Sequence, residues 1–207
     1  MKKKNIVFFG GSFDPIHNGH VHMVNQLKLH FDLDELIFIP TYKNYMKDEP
    51  LFSAQDRFNS VNDLIKKLPK SKCDQQFFVS DYEIKQQVET YTIDTIMHFE
   101  KKYKNERFIL LIGSDNFFEF HRWKDYEKIL KTVSICVIRR DDLSIATYHD
   151  YIFEKLHQKV LSSIMIIDKP PVKISSTELR NKIKNKEDIS EFVPQEVIES
   201  LGLNDKK

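Results

Sequence analysis

The chain has 207 residues, 41% of them hydrophobic and 30% charged, with a formal net charge of +1. That is enough apolar material for a packed core, and near-neutrality argues against a polymeric nucleic acid as partner. Cys73 and Cys136, the two cysteines, can build neither a metal framework nor a dense disulfide scaffold, and they suit a reducing compartment.

Strand and helix patterns alternate along the chain. Residues 5–9 read as a short buried strand and 19–31 as a helix. Glu35–Pro40 is a second strand, and 53–68 is a helix opened by Ser53 with Asp56 three positions on. A short apolar stretch, 77–79, precedes a helical pattern over 92–104, where Ile93, Ile96 and Met97 recur at helical spacing. Residues 107–112 form a strongly apolar strand that ends at Gly113. A helix over 125–131, a strand over 133–138, a helix over 148–160 and a strand over 163–167 follow. Pro170-Pro171 forces an extended turn, and helices over 175–185 and 194–201 close the chain before a frayed tail at 204–207. Continuous apolar strands separated by helices imply an α/β fold with a parallel sheet covered on both faces. Such sheets bind ligands at the carboxyl ends of their strands. One domain over 1–207 is expected, with a core at 1–170 and a C-terminal helical part at 171–207. No apolar run approaches the ~20 residues of a membrane span. The apolar stretch behind basic Met1–Lys4 is too short for a signal-peptide core, so a cytoplasmic location is expected and a membrane partner is not.

The chain holds 5 glycines, well below the typical ~7%, and three of them fall in the segment Gly10-Gly11-Ser12-Phe13-Asp14-Pro15-Ile16-His17-Asn18-Gly19-His20. It runs from the end of the first strand into a helix. Gly10 and Gly11 admit unusual backbone angles and close approach of a ligand. The helix start supplies unpaired N–H groups and a positive dipole end, which suit phosphate. His17 and His20, three apart, share a helix face, and Gly19 leaves the backbone between them open to a bulky ligand. The glycine spacing is neither that of a Walker A loop nor that of the dinucleotide fingerprint. Zinc held by His17, His20 and His22 is one alternative, opposed by the different helix faces of His20 and His22 and the lack of a placed carboxylate. A tight turn with capping histidines is another. Two histidines beside a phosphate-ready helix start fit phosphoryl or nucleotidyl transfer better.

A second segment, Ile174-Ser175-Ser176-Thr177-Glu178-Leu179-Arg180, opens a helix with a capping box of Ser175 and Glu178. Its hydroxyls and outward amides, with Arg180 in the first two turns, can hold a phosphate. A plain capped helix with an exposed arginine is the bland alternative. Arginine is rare in the chain, at 57, 107, 122, 139, 140 and 180, so each is a candidate for planar anion recognition.

The first segment resembles the signature of the nucleotidyltransferase superfamily defined by His-x-Gly-His, and in this form it looks like the nicotinate-nucleotide adenylyltransferases. The second is similar to that family's Ile-Ser-Ser-Thr-x-x-Arg signature. The resemblance runs in order from Ile6 to about Leu201. It implies a Rossmann-like, doubly wound parallel sheet with C-terminal helices, and transfer of AMP from ATP to nicotinate mononucleotide. ATP would be a substrate, with Mg²⁺ on its phosphates rather than in a protein metal site. His17, His20, Lys47 and Arg180 would carry the chemistry. ATP would meet Gly10, Gly11, Ser12, Phe13, His17, Gly19, His20, Gly113, Asp115, Arg140, Ile174, Ser175, Ser176, Thr177 and Arg180. The mononucleotide would meet Ser12, Phe13, Lys47, Thr90, Tyr91, Thr92 and Trp123, the tryptophan stacking on the pyridine ring. Simpler readings stand beside these: helix capping by Asp115 and by Thr92, a core Trp123, a solvated Arg139-Arg140 pair. Departures from the family pattern are Met46 before Lys47 where a histidine is common, Arg139-Arg140-Asp141 in place of Arg-Pro-Gly, and Lys124 in place of an aromatic; Arg57 fits the arginine after the Lys47 loop. Family members are often dimers, so a homodimer is among the expected states. Other readings of the function are an amide-preferring or dual-specificity adenylyltransferase, a phosphopantetheine or cytidylyl transferase, and a non-catalytic nucleotide sensor.

Overall fold

The computed structural model describes residues 2–43, 49–70, 72, 75–156, 163–168 and 174–203. Met46 and Lys47, Cys73, Pro170-Pro171, residues 157–160 and the tail at 204–207 lie outside them. Six strands, β1 (Asn5–Gly11), β2 (Glu35–Pro40), β3 (Gln76–Val79), β4 (Arg107–Gly113), β5 (Ser134–Ile138) and β6 (Ile164–Ile167), form one sheet in the order β3-β2-β1-β4-β5-β6. Every pairing is parallel. This is the doubly wound arrangement expected from the sequence, with its topological switch between β1 and β4.

Residues alternate between two cores along each strand. Val7, Phe9, Phe38, Leu111 and Ile138 face one side, against α1 (Asn18–His30), α2 (Ala54–Ile65), α8 (Ser176–Lys184) and α9 (Gln195–Ser200). Ile6, Phe8, Ile39, Leu110 and Val137 face the other, against α4 (Thr92–Lys102), α6 (Tyr126–Thr132) and α7 (Ile145–Lys155). Both faces are covered, which is why the strands are apolar throughout. The C-terminal α8 and α9 share the first of these cores, through Leu179, Ile183, Val197 and Ile198.

Element ends differ from expectation for local reasons. α2 stops at Ile65, short of 68, because Leu68 precedes Pro69 and such a position disfavours helix. α7 starts three residues early, at Ile145, since the Ser144 hydroxyl accepts from the Thr147 amide. Two five-residue helices, α3 (Tyr82–Gln86) and α5 (Ser114–Phe118), and a 3₁₀ turn at Phe120–Arg122 were not expected. Gly10 and Gly11 are not in left-handed conformations as expected; they continue β1, and among glycines only Gly202 has positive φ, at +64°. Phe13 instead carries the unusual backbone, at φ 48°.

Candidate active site

A cleft of about 300 Å³ opens where β1 and β4 part, at the carboxyl ends of the strands. Its walls include Gly10, Gly11 and Ser12 from the first motif, and Thr90, Thr92, Asp115 and Trp123 from the intervening segments. A second cavity of about 510 Å³ is lined by Ser114, Asp115, Arg140, Ile174, Ser175 and Glu178. Asp115 borders both. A Cβ added at Gly10 would meet nothing within 4 Å, so its missing side chain leaves open space above the strand end. The Ser12 hydroxyl is buried with no hydrogen-bond partner among the described residues.

The two motif histidines build the start of α1. His17, 1% exposed, is its N-cap, with extended backbone at φ −148°, ψ 173°. Its Nδ1 accepts from the Gly19 amide at 3.1 Å, and His20 Nδ1 accepts from the His17 amide at 3.2 Å. This is a capping box made of two imidazoles, with ring centroids 3.9 Å apart. An imidazole that accepts at Nδ1 carries its proton at Nε2, so the cap fixes both rings as Nε2–H donors. Capping by the histidines, one of the readings of the sequence, is the arrangement seen. Neither ring lines either cavity. The Phe13 ring sits edge-on to His20 at 5.2 Å and would touch a Cβ on Gly11, while a Cβ on Gly19 would stand 2.9 Å from the His17 ring and 3.0 Å from Ile174. Gly19 is therefore required by close approach of the second motif. Phe13 itself, 1% exposed, packs on Phe9 and Phe38, and its side chain supports His20 from the core.

Sequence reasoning missed the network beneath this helix start. Asp14, 1% exposed, accepts from the Leu51 and Phe52 amides, each at 2.9 Å. Arg57, also 1% exposed, donates to the carbonyls of Phe52, Ser12 and Tyr42 at 3.2, 2.5 and 3.0 Å. Burial lowers its pKa, and Asp14 opposes that shift. Arg180 reaches the Asp14 carbonyl at 3.4 Å, its carboxylate at 3.6 Å and the Thr177 hydroxyl at 2.9 Å. The two motifs thus meet at Asp14, 166 positions before Arg180, and at Gly19, against Ile174.

In the second motif the Ser175 hydroxyl caps α8 by accepting from the Glu178 amide at 3.2 Å, the serine half of the expected box. Arg139 and Arg140 are not a solvated pair. Arg139 turns to Asp168 and to the Leu143 carbonyl. Arg140 turns the other way, donating to the Ile174 carbonyl at 2.7 Å and standing 3.7 Å from Asp115. Asp115 does not cap α5; Gly113 holds the N-cap position and Asp115 lies in the first turn. Likewise Tyr91, not Thr92, is the N-cap of α4. Thr90, Thr92 and Trp123, three of the residues expected to meet the mononucleotide, line the first cavity, whereas Tyr91 lies under the Lys124 ammonium, 4.3 Å from its ring. Trp123 also packs on Phe120, centroids 5.1 Å apart.

Glu83 was not anticipated at all. It lies in α3, 6% exposed, lines the first cavity and accepts from the Thr95 hydroxyl at 2.7 Å. Burial pushes its carboxyl up to about 7. His22, the third imidazole of the zinc reading, has Nε2 buried without a hydrogen-bond partner among the described residues, and burial lowers its pKa. Among the described residues no group of three or more His, Cys, Asp or Glu could hold a metal ion, and no helix is long and apolar enough to cross a membrane.

A parallel sheet with glycines at its switch point, a capped helix start after β1 and two cavities that share Asp115 is the architecture of an α/β nucleotidyltransferase. Residues 8–182 match the cytidylyltransferase-like family model. A probable nicotinate-nucleotide adenylyltransferase of Clostridium novyi is 38% identical, covering 94% of each chain, and one of Aquifex aeolicus is 35% identical over 83% of this chain and 99% of its own. A solved structure, the Plasmodium falciparum nicotinic acid mononucleotide adenylyltransferase complexed with NaAD, has the same fold, with TM-score 0.77 at 22% identity over 97% of this chain and 95% of that one. The chain belongs to the cytidylyltransferase-like family and, within it, to the nicotinate-nucleotide adenylyltransferases.

Proposed function

We propose that the chain transfers AMP from ATP to nicotinate mononucleotide, giving nicotinate adenine dinucleotide and pyrophosphate, a step of NAD synthesis. The observation that carries the reading is the imidazole capping box at the start of α1, whose Nδ1 bonds put both ring protons on Nε2, in a chain with two cavities that share Asp115. The mononucleotide would occupy the Trp123 cavity and the adenosine of ATP the Arg140 cavity. An oxygen of the 5′-phosphate attacks the α-phosphorus, and the bond from that phosphorus to the bridging oxygen breaks as pyrophosphate leaves. The substrate supplies its own nucleophile, so the protein aligns the reactants and neutralises developing charge. His20, seconded by His17, donates to the phosphates. Arg180 and Lys47 attend the leaving group, Arg180 by turning from Asp14. Mg²⁺ arrives as part of the substrate, on ATP oxygens and water. A cytoplasmic homodimer is the accompanying proposal for assembly and location. The test is His20→Ala, which removes a donor needed most in the transition state. Turnover should fall at least a hundredfold, roughly the cost of losing one such donor, while ATP still binds. Near-normal pyrophosphate release from that variant would sink the reading.

A further inference from the structure

Helix α7 carries two tyrosines three positions apart, Tyr148 and Tyr151, and so presents both on one face. Tyr148 is fully buried and Tyr151 half-buried. Both rings close on α5. The Tyr148 ring stacks on Phe117 at 5.7 Å and lies 4.9 Å from Phe118, and the Tyr151 ring stands 5.0 and 5.2 Å from the same two. Aromatic packing of this kind fixes orientation as well as burying area. α5 is the helix of Asp115, the residue common to both cavities.

The two hydroxyls serve different segments. That of Tyr148 donates to Asp141 Oδ2 at 2.8 Å, and Asp141 Oδ1 accepts from the Leu143 amide at 3.0 Å. These bonds pin the turn between β5 and α7, which carries Arg140 to the second cavity. The same turn is tied to α5, where the Ser114 hydroxyl accepts from the Arg140 amide at 3.1 Å. Burial pushes the Tyr148 hydroxyl up to about 12, so it keeps its proton and stays a donor at neutral pH. The Tyr151 hydroxyl accepts from the His121 amide at 3.2 Å and lies 2.9 Å from Nδ1 of the same residue. His121 is the middle residue of the 3₁₀ turn at Phe120–Arg122, which the Trp123 amide closes by donating to the Phe120 carbonyl at 3.0 Å. Trp123 leaves that turn to line the first cavity. Neither tyrosine lines either cavity, so any effect they have on a ligand passes through the residues they hold.

We propose that Tyr148 and Tyr151 are positioning residues, one for each cavity: Tyr148 sets the place of Arg140 through Asp141, and Tyr151 sets the place of Trp123 through His121. This rests on the function proposed above, which seats ATP in the second cavity and the mononucleotide in the first, and adds the residues that shape the two seats. Phenylalanine at either position keeps the ring in its cluster and removes the hydroxyl alone. The loss is one hydrogen bond to a turn with little change in packing. Each substitution therefore acts on one reactant and spares the other.

The experiment measures initial rates of pyrophosphate release by the wild-type chain, Tyr148→Phe and Tyr151→Phe, varying Mg·ATP at saturating nicotinate mononucleotide and then the reverse. Tyr148→Phe should raise the KM for ATP about three- to tenfold, the scale of one lost hydrogen bond, and hold the KM for the mononucleotide to about twofold. Tyr151→Phe should do the converse. A merely structural role would lower the active fraction, reducing kcat and leaving both KM values alone, which overturns the proposal. Parallel rises in both KM values, or the reversed pattern, overturn it as well. Asp141→Ala breaks the Tyr148 link from the turn, with the buried ring untouched, and should by itself raise the KM for ATP to the same extent. The double variant Tyr148→Phe/Asp141→Ala should do no more than either change alone, and effects that add would overturn the link. A wild-type chain without turnover removes the proposed function, whereas KM values that fail to separate in a chain that turns over remove this inference alone.

Discussion

Arg57 shows how one side chain sets the shape of the loop that follows β1. Its three donating nitrogens hold the carbonyls of Ser12, Tyr42 and Phe52, residues from three chain segments. A guanidinium is suited to this because its donors form a rigid fork, and it stays charged when burial lowers its pKa. Lysine has a single ammonium on a flexible stem and cannot span the three acceptors. Arg57→Lys should therefore leave buried carbonyls unpaired and cost on the order of 2–4 kcal/mol. The reading is a lower urea midpoint at unchanged slope; an unmoved midpoint would show that the three carbonyls do not depend on the fork. The sequence marked Arg57 by the rarity of arginine and by its place after the Lys47 loop, yet not this role. Glu83 escaped notice for a related reason. A glutamate in the polar stretch after β3 reads as exposed, and only the packing of α3 on its neighbours buries it.

Among the elements, the strands were the most legible. Ile6–Phe9, Leu36–Ile39, Phe108–Ile112 and Ile135–Ile138 are apolar at every position because both faces of the sheet are covered (residues 6–9, 36–39, 108–112 and 135–138). The short helices α3 and α5 were not, since five residues contain too little of a 3.6-residue period to register. The opposite destinations of Arg139 and Arg140 follow from extended chain leaving β5, where successive side chains point to opposite faces. The end of β4 carries a prediction of its own. Gly113 is the N-cap of α5, and a Cβ there would stand 2.5 Å from Asp115 Oδ1 and 3.0 Å from Arg140 Cδ. Its φ of −84° is open to any residue, so the constraint is space and not backbone. Gly113→Ala should fold normally and push both side chains out of place in the second cavity. Losing one charge-assisted hydrogen bond to ATP would raise its KM about tenfold. An unchanged KM would mean that Asp115 and Arg140 do not touch ATP.

At the scale of the whole molecule, the site draws on the full length of the chain. The start of α1 comes from the first motif, Asp115 and Arg140 follow β4 and β5, and α8 brings the second motif back to Asp14 and Gly19. The C-terminal helices share a core with α1 and α2, so the two motifs are joined through the same packing that holds the sheet. A ligand bound across such a junction stabilises the folded chain as a unit. At ATP near a hundredfold its Kd the gain is about 2.7 kcal/mol, which for a chain of this size is a rise in Tm of roughly 5–10 °C. His20→Ala should keep most of that rise, because the lost donor acts chiefly on charge that develops during transfer. Gly113→Ala, binding ATP about tenfold more weakly, should lose about 1.3 kcal/mol of it at the same ATP concentration, or roughly 3–5 °C. Thermal unfolding of the three proteins with and without Mg·ATP separates binding from chemistry. If His20→Ala lost the shift and Gly113→Ala kept it, the imidazole would be a ground-state anchor and the second cavity would not be the seat of the adenosine.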